Sequence, residues 1–201
     1  MSHIGGLGHS AILFPASLAL FGFLLWLGRR ADALAFVAAL TVCLVATLVA
    51  KLAFHACESN VAAFGVESPS GHASFSAVFY GCAALVIAGG RPPWARMGVY
   101  AVAALFVFLI GVSRVVVGAH TFPDVVVGLG IGMISILVFH ALRGPPRPLA
   151  ISLRAVAWGI PTGAVLLTII LYFARRWTAE PLIEAVALRL NLLLNLCGPV
   201  S

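Results

Sequence analysis

Charge is scarce in this chain. Of 201 residues only 9% are charged, acidic residues number six, and Lys51 is the single lysine. A soluble domain carries roughly 25% charged and about 45–50% apolar residues. Here 62% are hydrophobic and the mean hydropathy is +1.12. A soluble fold of this size could not cover its surface with so few polar groups. A soluble enzyme and a disordered chain are therefore excluded. A nucleic-acid binder is excluded too, despite a net charge of +6, because the arginines punctuate apolar runs instead of lining a basic groove. The four cysteines lack metal-ligand spacing. Cys43 and Cys82 read as small core residues within apolar runs. Cys57 and Cys197 read as unpaired thiols, with a disulfide between them as the alternative. The alternating ten-residue pattern of a membrane β-barrel is missing as well.

What remains is long apolar runs. A helix needs about 20 apolar residues to cross the hydrocarbon core. Six runs meet or approach that length, at about Ser10–Gly28, Ala33–Phe54, Ala73–Gly89, Met97–Val117, Asp124–Leu142 and Ala155–Ala174. The expected fold is all-α: a polytopic membrane protein with six transmembrane helices in one bundle. Residues 1–201 form a single domain in this reading. Glu180–Leu196 has the pattern of a C-terminal amphipathic helix at the interface, within a segment at 180–197. The first run lacks the leading positive charge of a secretory signal and reads as an anchor with its N-terminus outside. Arg29, Arg30, Arg91, Arg96, Arg143, Arg147 and Arg154 fall in connections that six spans place on one side, which the positive-inside rule makes cytoplasmic. Arg175 and Arg176, after the sixth run, break that pattern. Trp26, Trp94, Trp158 and Trp177 fall near span ends, as an aromatic belt would.

An ionisable residue inside a span is costly unless paired or wet, so it marks a functional site by default. Lys51, Arg114 and Asp124 are such residues, and all fall at the outer level with His72 and His120. In Pro69-Ser70-Gly71-His72, Ser70 reads as a helix N-cap. The unpaired N–H groups that follow suit an anion, and Gly71 lets a phosphate approach the backbone. Alone, the tetrapeptide is equally a plain capped helix start. In Ser113–Asp124, Pro123 suits the first helical position and Asp124 lies four residues past His120. A carboxylate that accepts Nδ1–H fixes the imidazole tautomer and leaves Nε2 free as a nucleophile. Arg114 can fork two phosphate oxygens. Alone, Arg114 and Asp124 are equally a structural ion pair.

Taken together, the two stretches resemble the second and third motifs of the type 2 phosphatidic acid phosphatase superfamily, Pro-Ser-Gly-His and Ser-Arg-x5-His-x3-Asp, at every defined position. The apolar spans point to its integral-membrane branch, with a motif core at 51–124. The first motif, Lys-x6-Arg-Pro, is matched only at Lys51; Glu58 and Ser59 replace Arg and Pro. A carboxylate ~4 Å from a phosphate would cost several kcal/mol at an effective dielectric near 20. Glu58 must therefore point away or be offset, for example by Arg175, Arg176 or Arg189.

The resemblance implies the following roles. His120 is the nucleophile, Asp124 orients it, and His72 is the general acid and base. Lys51, Ser70, Gly71 and Arg114 hold the phosphate; Ser113, Glu58 and His55 are further candidates. No metal or other cofactor is implied. The partners are a lipid phosphate substrate and the bilayer, with no nucleic acid, and nothing specifies an oligomeric state. The expected setting is a bacterial inner membrane with the site facing the periplasm or exterior. Three functions follow in order: a lipid phosphatase acting through a phosphohistidine; a lipid phosphotransferase using the same intermediate; and a catalytically silent lipid-binding protein, favoured only by Glu58.

Overall fold

The computed structural model describes residues 10–56, 65–149, 183 and 185–189. Five helices run through them: α1 (Ser10–Trp26), α2 (Arg30–Ala56), α3 (Gly71–Ile87), α4 (Pro93–Val116) and α5 (Phe122–Leu142). They coincide with the first five apolar runs, and no strand occurs among the described residues. By length and composition α2, α4 and α5 can each cross a membrane, whereas α1 and α3 are shorter apolar helices. The sixth run and most of the amphipathic segment lie outside the described residues; within that segment 185–189 are helical. The result is an all-α bundle of the polytopic membrane type.

Turn chemistry sets the boundaries. Gly28 and Gly90, both at φ +71°, reverse the chain after α1 and α3, a backbone region that glycine enters without steric cost. Pro93 stands at the start of α4, where its missing N–H costs nothing. The helix α3 is central. It touches α1, α2, α4 and α5, while α2 also packs along α5. Leu13, Leu24, Phe36, Val78, Val86 and Phe139 make the buried core between them. The outer faces carry Leu18, Leu34, Met97, Phe108 and Leu137 exposed. That surface would aggregate in water and is matched by hydrocarbon. Trp26 and Trp94 are exposed near helix ends, as the sequence suggests.

One contact decides where the site forms. A side chain at Gly128 would place Cβ 2.5 Å from the Ser70 carbonyl oxygen, and one at Gly132 would meet Ala77 Cβ at 2.5 Å and the Ser74 carbonyl oxygen at 2.9 Å. One turn further the roles reverse: Gly81 of α3 receives Ile136 of α5. Small residues four apart on both helices thus let the backbones of α3 and α5 meet directly. This is the close approach used by helices in lipid, where packing replaces the hydrophobic drive.

At the opposite end two arginines depart from the reading of loop charges. Arg29 Nε donates to Asp32 Oδ2 at 2.6 Å, and Arg143 Nε lies 3.7 Å from Asp32 Oδ1. Arg143 Nη1 also donates to the Leu85 carbonyl at 2.8 Å. All three side chains are buried. They tie the ends of α2, α3 and α5 together instead of lying in solvent.

Candidate active site

The site residues sit at one end of the bundle: the C-terminal turns of α2 and α4 and the N-terminal turns of α3 and α5. Two caps and one helix end bring them there. Ser70 is the N-cap of α3, and its hydroxyl accepts a long bond from the Ala73 amide at 3.4 Å. Its own amide donates to the Asp124 carbonyl at 3.0 Å. His72 is therefore the second helical residue of α3, half-buried, with its Nε2 closed to solvent.

The third motif is held by backbone geometry. Helix α4 ends on Gly118 at φ +67°. The Gly118 amide donates to the Val115 carbonyl at 3.0 Å and the Ala119 amide to the Arg114 carbonyl at 3.0 Å, the double closure of a Schellman end. The His120 amide also reaches the Arg114 carbonyl, at 3.3 Å. The backbone of Arg114 thus fixes the distance to His120. Thr121, not Pro123, starts α5. Its hydroxyl accepts from the Asp124 amide at 3.3 Å, and Asp124 Oδ2 accepts from the Thr121 amide at 2.9 Å. This reciprocal box puts Pro123 at the second helical position and Asp124 at the third. The expectation of Pro123 in first place is corrected by one residue, because Thr121 supplies a cap that Phe122 cannot.

Asp124 is the hub. It is 1% exposed as a side chain. Oδ1 accepts from the amides of Glu67 and Ser68, both at 2.9 Å. Oδ2 accepts from Thr121 and lies 3.5 Å from His120 Nδ1. Three backbone donors fix the carboxylate, and the imidazole meets its remaining edge. The open alternative of an Arg114–Asp124 ion pair is not what forms. Arg114 Nε instead approaches Ser113 Oγ at 3.4 Å, while Ser113 donates to the Ile110 carbonyl at 2.6 Å.

Lys51 is buried at the end of α2 and its ammonium donates to Ser68 Oγ at 3.0 Å. Its stem runs beside the start of α3: a Cβ at Gly71 would lie 3.8 Å from Lys51 Cε and 3.9 Å from Thr47 Cγ2. Those are ordinary contacts, so packing does not require glycine at 71. Thr47 and Ser74 hydroxyls meet at 2.9 Å and brace α2 against α3 one turn below. The second and third motifs and Lys51 are thus gathered at one end. Of His55 only the backbone, in the last turn of α2, is described. Glu58 and the arginines at 175 and 176 lie outside the described residues.

Sequence reasoning missed Thr121, Ser68 and the amide of Glu67. The Thr-x-x-Asp spacing signals the first of these. Ser68 and the Glu67 amide carry no sequence signal, since their role depends on how the loop before α3 lies across α5.

Residues 51–147 match the PAP2 superfamily. Over that segment the chain is similar to the PAP2 superfamily. The PAP2 segment holds every motif residue described above. Over 167 residues the chain is 26% identical to an uncharacterized 22.5 kDa protein in the cps region of Klebsiella pneumoniae, covering 82% of this chain and 78% of that one. No solved structure matches significantly. The match to this superfamily and the apolar helices support a phosphatase-type activity in a membrane protein.

Proposed function

We propose that this PAP2 protein is a lipid phosphatase that works through a phosphohistidine. The observation that carries the reading is the hub at Asp124: one buried carboxylate meets His120 Nδ1 and, through the Glu67 and Ser68 amides, the loop that leads into Ser70-Gly71-His72. With Nδ1–H turned to Asp124, the lone pair of His120 Nε2 is available to phosphorus. Lys51, Arg114 and the first amides of α3 hold the phosphate oxygens and stabilise charge in the transition state.

In the first step His120 Nε2 forms a bond to phosphorus as the bond to the lipid oxygen breaks. His72 gives its proton to the departing alkoxide. In the second step water attacks phosphorus, His72 takes a proton from it, and the P–N bond breaks to release inorganic phosphate. His120 is restored and His72 ends protonated, ready for the next cycle. The lipid-exposed bundle supports a substrate held by its tail in the bilayer, such as phosphatidic acid, phosphatidylglycerol phosphate or a polyprenyl diphosphate. The arginine-bearing end opposite the site supports a bacterial inner membrane with the site facing outward.

The test is phosphate release from a panel of these lipids by the purified protein in detergent with EDTA present. We expect turnover of at least one lipid, inhibition by vanadate, and loss of turnover in His120→Ala. Release by the His120→Ala protein at the wild-type rate would overturn the reading. Phosphate passed to an added lipid alcohol in preference to water would replace it with the phosphotransferase.

A further inference from the structure

We propose that Ser68 is a positioning residue that holds Lys51 for phosphate. The inference rests on the phosphatase reading above and deepens it. Ser68 bonds both Lys51 and Asp124. Its hydroxyl accepts from Lys51 Nζ at 3.0 Å, and its amide donates to Asp124 Oδ1 at 2.9 Å. It stands just outside the Pro69–His72 motif, and no motif position assigns it a role.

The chemistry favours a held lysine. A lysine side chain has about 2 kcal/mol of rotamer freedom to lose when its head is fixed. The stem runs beside the start of α3, where a Cβ at Gly71 would lie 3.8 Å from Lys51 Cε. The Ser68 hydroxyl supplies a directional bond to the head. A hydroxyl has two acceptor lone pairs and one donor proton. One of those lone pairs is enough to orient the Lys51 ammonium. This matters more here because Glu58 stands where the first motif has arginine, leaving Lys51 as the motif's cation.

The two bonds of Ser68 are separable. Alanine removes the hydroxyl and keeps the amide, so Asp124 retains its donor and His120 its orientation. Ser68→Ala should raise KM for the lipid phosphate about tenfold, the scale of one hydrogen bond to a charged group. It should change kcat less than about threefold, and Ser68→Thr should restore KM. Inorganic vanadate, which needs no lipid, should show the same weakening as an inhibitor. In the Lys51→Ala background Ser68→Ala should add nothing.

An unchanged KM in Ser68→Ala, a fall confined to kcat, or additive losses in the double variant would each overturn the proposal while leaving the phosphatase reading intact. A wild-type protein that neither hydrolyses lipid phosphates nor responds to vanadate would overturn the phosphatase reading itself, and this proposal with it.

Discussion

Each end of the bundle buries one carboxylate, and the two ends treat it differently. Asp124 receives three backbone amides at 2.9 Å and faces one imidazole. Asp32 receives no backbone donor among the bonds seen. It has one short bond from Arg29 and a looser approach from Arg143. Two guanidinium groups share it, and Arg29 Nη1 and Nη2 and Arg143 Nη2 are buried without a hydrogen-bond partner. Burial works against the proton on Arg143, while Asp32 favours it; arginine stays charged regardless. A carboxylate saturated by amides is held in a fixed orientation, which suits aiming a nucleophile. A carboxylate shared by two cations joins helix ends, and its geometry is not finely set.

That contrast is open to test, beginning with the largest effect. Asp124→Asn places an NH2 where either two amide donors, or one amide donor and an imidazole, need an acceptor. Phosphate release should fall about 10³-fold or more, by analogy with other histidine-orienting aspartates, and a rate within tenfold of wild type would end the claim that Asp124 aims His120. Asp32→Ala leaves two buried guanidiniums uncompensated, a loss of about 3–5 kcal/mol. Thermal unfolding in detergent should shift strongly downward, while kcat of the folded fraction stays near wild type. An Asp32 variant that keeps its stability but loses kcat would mean that the two ends are coupled.

Gly128→Ala and Gly132→Ala sharpen the comparison along α5. Each forces a methyl against the α3 backbone, an overpacking cost of about 1–3 kcal/mol. Both should lower the unfolding temperature. Only Gly128→Ala, whose Cβ would press on the Ser70 carbonyl, should also cut phosphate release severalfold. Equal activity losses would argue against a site built on that one contact. The smallest effect is expected for Gly71→Ala. Its methyl meets only ordinary contacts, so the unfolding temperature should hold within a few degrees, and any change should appear in KM. A large drop in stability would show that the start of α3 is tighter than its neighbours indicate.

The sequence made part of this legible. Hydropathy located α1 to α5 because lipid demands continuous apolar runs, and motif spacing picked out Lys51, His72, Arg114, His120 and Asp124, which the structure gathers at one end of the bundle. Ser70 as N-cap was readable for the same local reason. The salt cluster was not: Arg29 and Arg143 look like any loop arginines until Asp32 is seen between them, 111 residues from Arg143 along the chain. Ser68 was hidden because its partners come from two other helices. The Gly128-x3-Gly132 spacing was visible as letters, but its meaning required knowing which backbone it faces.

The α3–α5 seam has one more consequence, for how a bulky molecule gets in. The Ser70 amide bonded to the Asp124 carbonyl, together with Gly128 against the Ser70 carbonyl, joins the cap of α3 to the residue that faces His120. Prising those two helices apart would dismantle the machinery that the visitor has come to use. On the proposed lipid phosphatase reading, a lipid sliding in sideways would pass another flank, with the seam as the fixed wall beside it.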